Sequence, residues 1–132
     1  MRALLALALL CLLFTPAEAK RHHGHHHGYS SGAVIGTRPA GCPRQFCGCG
    51  ASIHLFGRII PSLNLAANWL RFPRTSPAPK MVAVRRHHVF VLEQHVGGDV
   101  WIVHDSNSGG HATRLHERSI AGYVIVNPRG AS

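Results

Sequence analysis

The sequence predicts an α+β fold in which short helices pack on one side of a small antiparallel sheet. Two observations indicate this class. Segments compatible with helices come first, near residues 47–56 and 64–70, and segments rich in Val, Ile and aromatic residues follow from Lys80 onward. A stretch with three prolines, residues 73–79, separates the two halves and predicts a linker between them.

Each predicted element has a local signal. The first helix begins near Cys47 and has low propensity because it contains Gly48 and Gly50. The second covers residues 64–70, with Asn64 as its N-terminal cap. The predicted strands are residues 81–84, 89–96, 100–105 and 123–126. Turn-forming segments, Gly97-Gly98 and residues 106–110, separate the later ones.

The N-terminus predicts a secretory signal peptide, residues 1–19. Arg2 is basic, residues 3–14 are apolar but too few to span a bilayer, and Ala17-Glu18-Ala19 has the small-x-small pattern of a cleavage site. We therefore expect a secreted or periplasmic protein with no transmembrane span after processing. Residues 33–132 then form one small domain, which we expect to be a monomer.

Residues 20–32 predict a disordered, His-rich tail, because they hold five histidines with Gly and Ser and almost nothing apolar. Cleavage after Ala19 would leave a free amine two residues before a histidine, an arrangement that suits square-planar Cu(II) or Ni(II). The other interpretation is a disordered tail that binds no metal ion. The candidate metal ligands are His22, His23, His25, His26 and His27.

Three residues appear in the order that thiol catalysis requires. Cys47 would open a helix, His88 would start a strand, and Asn107 would follow the next strand, which corresponds to nucleophile, base and orienting group. A helix N-terminus and a nearby imidazolium both favour the reactive thiolate. The backbone N–H of Cys47 and the side chain of Gln45 are the candidate oxyanion donors.

The predicted hairpin at Gly97-Gly98 indicates which polar residue would lie opposite His88. With a two-residue turn there, His88 pairs with Asn107, and cross-strand Cβ atoms lie roughly 4.5 to 5.5 Å apart. Asn107 is therefore the first choice as orienting group. Asp105 is the alternative, because it is diagonal to His88 on the same face and a three-residue turn would break the register.

These residues resemble motifs of the CHAP superfamily and the related NlpC-type cell-wall peptidases. Phe46-Cys47-Gly48 is similar to the nucleophile segment, residues 64–69 to the following helix with its buried Trp, and His88-Val89 to the base segment. The resemblance implies a papain-like core of N-terminal helices on a small antiparallel meander or partial barrel. It also implies a cysteine peptidase or amidase that cleaves peptidoglycan amide bonds and requires no cofactor.

After signal-peptide removal the chain would keep three cysteines in an oxidising compartment. We predict a disulfide between Cys42 and Cys49, which leaves Cys47 free as a nucleophile. A bridge between Cys42 and Cys47 is the alternative. It would move the nucleophile to Cys49 or remove it.

The chain carries a net charge of +9, with its arginines dispersed along the sequence. This charge indicates either a soluble basic surface or attraction to an anionic cell-envelope polymer such as peptidoglycan. The sequence has no zinc finger, aromatic RNA-binding motif or basic helix, so we expect no specific nucleic-acid partner. The alternative function is a non-catalytic secreted protein that binds metal or the cell envelope through a degenerate CHAP-like domain.

Overall fold

A computed structural model of the protein describes residues 32–130. The predicted signal peptide lies outside the described residues, and so do the five histidines of the tail. Within the described range, no helix is long and apolar enough to cross a membrane.

The described chain is built on one antiparallel sheet of six strands in the order β1-β5-β4-β3-β2-β6. Consecutive strands from β2 to β5 are neighbours, and β6 and β1 complete the two edges. The strands are β1 (Ala33–Gly36), β2 (Val82–Arg85), β3 (His88–Gly97), β4 (Val100–Ser108), β5 (Ala112–Ser119) and β6 (Val124–Val126).

One α-helix, α1 (Cys47–Phe56), spans the range that the sequence predicts for it. The second predicted helix is instead a 3₁₀ segment, Ala66–Arg71, preceded by a 3₁₀ turn at Pro61–Leu63. Asn64 does not cap it, since Leu65 precedes its first residue and no side chain caps the segment.

The prediction of a helix-packed, papain-like α+β core is therefore wrong, and the described part of the protein is a small β-rich fold. Pro61 and Pro73 flank the stretch where the second helix was predicted, and the chain between them forms 3₁₀ turns. Strands β1 and β5 were not predicted. Strand β5 contains Ala, Arg, Leu and Glu, which favour helices, but its pairing with β4 overrides that preference.

Both faces of the sheet are covered, which explains the continuous apolar run in β3. Val89 and Val91 pack with α1, while Phe90 and Leu92 point to the opposite face, where Ile120 and other side chains cover them. Trp69 is fully buried against the α1 side and donates its indole Nε1–H to the carbonyl of Leu63 at 2.8 Å. Helix α1 lies over β3 and β4, and the 3₁₀ segment that carries Trp69 lies over β2 and β3.

The two glycines that weaken α1 allow it to approach its neighbours closely. A Cβ at position 48 would overlap the backbone carbonyl oxygen of Leu63 and lie 2.7 Å from that of Asn64. A Cβ at position 50 would overlap the side chain of Ser106 on β4. Their cost in helix propensity, about 1 kcal/mol each, is therefore offset by packing that seats the start of α1 on the sheet.

The β3–β4 hairpin turns at Gly98-Asp99, because Gly97 pairs with Val100, so the prediction of a Gly97-Gly98 turn is wrong by one residue. Two irregularities in the ladder then shift the pairing. Beyond them, Leu92 pairs with Val103, as the sequence predicts. The register beside the candidate site therefore agrees with the prediction, although the turn does not.

Candidate functional site

Cys47 is the first residue of α1 and carries the one free thiol among the described cysteines. Its neighbours Cys42 and Cys49 form the predicted disulfide, with Cα atoms 5.8 Å apart, inside the range that disulfides require. Cys47 is only 5% exposed. No side chain caps α1, so its first N–H groups and the positive end of its dipole face the region of the thiol.

His88 begins β3 and connects the thiol to a carboxylate. Its Nε2 lies 2.7 Å from Oδ1 of Asp105, and the Cys47 side chain lies close enough to its ring to help raise the pKa of His88. Because Nε2 faces Asp105, Nδ1 is the nitrogen left for the thiol. Cys47, His88 and Asp105 therefore lie together where α1, β3 and β4 meet, and a hydrogen bond joins His88 to Asp105.

Asp105 is fully buried, and three cationic or titratable groups surround it. Besides His88, its Oδ2 lies 2.9 Å from Nε2 of His116 and accepts a hydrogen bond from Nη1 of Arg118. Arg118 is itself held in place, since its Nη2 donates to the Tyr123 hydroxyl at 3.0 Å and its guanidinium lies 4.8 Å from the centroid of the Phe90 ring. Both carboxylate oxygens are thus satisfied, which a buried charge requires.

The charges of the site shift its pKa values in opposite directions. Burial acts to lower the pKa of His88, but the hydrogen bonds and charges of Asp105 and Cys47 outweigh it and raise the pKa from 6.5 to about 9. Burial acts to raise the pKa of Asp105, but its bonds to His88 and His116 and the charge of Arg118 lower it from 3.8 to about 2. At neutral pH the imidazolium and the carboxylate form an ion pair beside the thiol.

This ion pair predicts how stability depends on pH. His88 binds its proton more tightly in the folded state, so its contribution is complete below pH 6.5 and is lost as pH rises toward about 9. The contribution of Asp105 is complete above pH 3.8 and is lost as pH falls toward about 2. We expect the free energy of unfolding to be greatest between about pH 3.8 and pH 6.5. It should fall by roughly 2 to 3 kcal/mol from pH 6 to pH 9.

Urea denaturation at a series of pH values measures this dependence. His88→Gln should flatten the alkaline part of the curve, because it removes the group that titrates. A wild-type curve that stays flat up to pH 9 would contradict the raised pKa of His88.

Asn107, the first choice as orienting group, makes no hydrogen bond with His88 in the structure. Its backbone leaves the extended conformation, with a φ of 57°, and its Oδ1 lies 3.1 Å from Nδ1 of His111. The ladder of β4 and β5 is irregular at this point, between Asp105 and Ser108. Asp105, the alternative orienting group, makes the hydrogen bond instead.

A cavity of about 460 Å³ opens beside Cys47. Gln45, the candidate oxyanion donor, lies in its wall together with Asn64, whose buried Oδ1 has no hydrogen-bond partner within the described chain. Arg86 and His87 complete the polar part of the wall. The apolar lining consists of Pro43, Leu65, Ala66 and Ala67.

Sequence reasoning missed His116 and Arg118. Both belong to β5, which was not predicted as a strand, and they alternate with Glu117 so that they point to the same face. The pairing of His116 with Val103 places it diagonal to Asp105. The every-second-residue spacing of Arg114, His116 and Arg118 was the available signal for a charged strand face.

No family model matches the chain, and neither does a curated protein or a solved structure. The residues of the site carry the functional argument. Among residues 32–130, no group of three or more His, Cys, Asp or Glu side chains is arranged to hold a metal ion. The Cu(II) or Ni(II) site suggested for the tail lies outside this range.

Proposed function

We propose that the protein is a thiol amidohydrolase or peptidase with Cys47 as nucleophile, His88 as general acid and base, and Asp105 as the group that orients His88. The observation that carries this proposal is the position of the free Cys47 thiol beside His88, whose Nε2 is hydrogen-bonded to the buried Asp105 carboxylate. A buried ion pair costs desolvation energy, so its position beside a free thiol favours a chemical role over a stabilising one.

The reaction follows from the protonation states of the pair. Protonated His88 favours the thiolate of Cys47, and the thiolate attacks the carbonyl carbon of an amide. His88 then gives its proton to the leaving amine, and the acyl group stays on Cys47 as a thioester. Neutral His88 next takes a proton from a water molecule, which attacks the thioester and releases the acid and the thiol.

Two features of the site support stabilisation of the negative charge that forms on the carbonyl oxygen. The N-terminal N–H groups of α1 have no side-chain cap, and Gln45 lines the cavity beside Cys47. Asp105 stays ionised, because Arg118 and His116 hold its second oxygen. It thereby keeps Nε2 of His88 protonated and Nδ1 directed to the thiol.

Peptidoglycan, or another anionic cell-envelope polymer, is the substrate that we propose for this site. The support is the resemblance of the Cys47 and His88 segments to CHAP and NlpC-type enzymes, together with the basic net charge. Export to the periplasm or the cell exterior belongs to the same proposal. It would bring the enzyme to that polymer and supply the oxidising conditions that suit the Cys42–Cys49 disulfide.

Alkylation of the native protein by iodoacetamide without reductant tests the proposed nucleophile. At pH 6 we expect Cys47 to react at least about tenfold faster than free cysteine, because the imidazolium favours the thiolate. Peptide mapping by mass spectrometry distinguishes Cys47 from Cys11. His88→Gln should remove the excess rate, while His95→Gln, a change at an exposed histidine on the same strand, should preserve it. A rate for Cys47 no higher than that of free cysteine would contradict the proposal.

A further inference from the structure

We propose that the cavity beside Cys47 accepts a carboxylate-bearing acyl donor, with Arg86 as the cationic partner of that carboxylate. The inference rests on the proposed function for the role of Cys47 and adds the chemical class of the substrate. It is carried by the position of Arg86 in the cavity wall, the absence of acidic side chains from that wall, and the geometry of the turn that holds Arg86.

The hairpin between β2 and β3 fixes Arg86 relative to the site. Arg85 pairs with His88, so Arg86 and His87 are the two residues of a tight turn. Both line the cavity together with Cys47. Because the turn leads directly into His88, it fixes the backbone of Arg86 beside the residue that acts on the thiol.

None of the four carboxylates in residues 32–130 lines the cavity. Glu93 is bound by His54 and Lys80, and Asp105 is neutralised by its own partners. Asp99 lies in the β3–β4 turn, and Glu117 lies on β5. The cavity is therefore bounded by positive charge without a compensating acid, and a bound carboxylate would supply one.

Arg85 and Arg86 differ in what they contact, although they are adjacent in the chain. Arg85 donates to the carbonyl oxygens of Ala121 and Gly122, and its guanidinium lies 4.1 Å from the centroid of the Tyr123 ring. Arg86 is exposed and forms no ion pair with a carboxylate in the described range. Arg85 thus stabilises the fold, whereas the charge of Arg86 is available to bind a ligand.

The rest of the wall suits the same class of ligand. Leu65 is 68% exposed and, with Ala66 and Ala67, offers an apolar surface to the hydrocarbon part of an acyl group. A short peptide acid fits this apolar surface together with the charge of Arg86.

Iodoacetate and iodoacetamide form a matched pair of probes for this inference. They deliver groups of nearly the same size to the sulfur and differ in the negative charge. On the full chain, we expect Arg86→Gln to slow alkylation of Cys47 by iodoacetate about three- to tenfold and to change the rate with iodoacetamide by less than about twofold. High salt should reduce the difference, because the partners are solvent-accessible.

Arg58→Gln is the control, since it removes the same charge from the wall of a different cavity, and it should leave both rates unchanged. An equal effect of Arg86→Gln on both reagents, or no effect on either, would overturn the carboxylate inference while leaving Cys47 as the nucleophile. Alkylation of wild-type Cys47 no faster than that of free cysteine, with both reagents, would overturn the proposed function and this inference with it.

Discussion

Replacing Cys47 by alanine or serine is expected to abolish amide hydrolysis, with a loss of at least roughly 10³-fold in kcat/KM. Alanine removes the attacking atom. Serine keeps the shape of the side chain but offers a hydroxyl that His88 ionises far less readily than a thiol. His88→Ala should cost nearly as much, because the thiol then loses both its partner and the acid that protonates the leaving amine. The measurement is the release of new amino groups from purified peptidoglycan or muropeptides.

Two controls make this result interpretable. His95→Ala removes a histidine from the exposed end of β3 and should leave turnover unchanged. Circular dichroism and a thermal melt should show that the Cys47 and His88 variants keep the fold, since Cys47 replacements leave the Cys42–Cys49 disulfide intact. Full turnover by a folded Cys47→Ala protein would rule out the proposed mechanism.

Replacing Asp105 should cause the second large loss of catalytic activity, and replacing Asn107 a much smaller one. Asp105→Asn keeps the shape of the side chain but removes the charge that stabilises the imidazolium. It also places an amide, in place of a carboxylate, opposite Nε2 of His88. We expect a loss of about 10² to 10⁴-fold in kcat with a smaller change in KM. Asn107→Ala should keep most of the activity, because its side chain is hydrogen-bonded to His111 and not to His88.

Asp105→Asn should also destabilise the fold. It leaves Arg118 and His116 beside a neutral group, and breaking a buried ion pair from one side costs about 3 to 5 kcal/mol. Activity should therefore be compared well below the melting midpoint of each variant. A larger loss of activity with Asn107→Ala than with Asp105→Asn would indicate that Asn107, and not Asp105, orients His88.

The sequence by itself determined the features that depend on local signals. Helix α1 spans Cys47–Phe56, as predicted, and the disulfide joins Cys42 to Cys49. The pairing of Leu92 with Val103 also matches the prediction, but only because two irregularities in the ladder compensate for a turn that lies one residue later than predicted. These cues were sufficient to suggest that Cys47 and His88 belong to one site.

Only the tertiary structure decided which polar residue meets His88 and what class of fold surrounds the site. Asn107 has a positive φ near the end of β4, while Asp105 is held by Arg118 and His116 from β5, a strand whose residues favour helix when taken alone. Such pairings depend on contacts between residues distant in sequence, and their energies outweigh local propensities of a few tenths of a kcal/mol per residue. For the same reason the sheet extends to six strands, although the sequence predicted a core covered by helices.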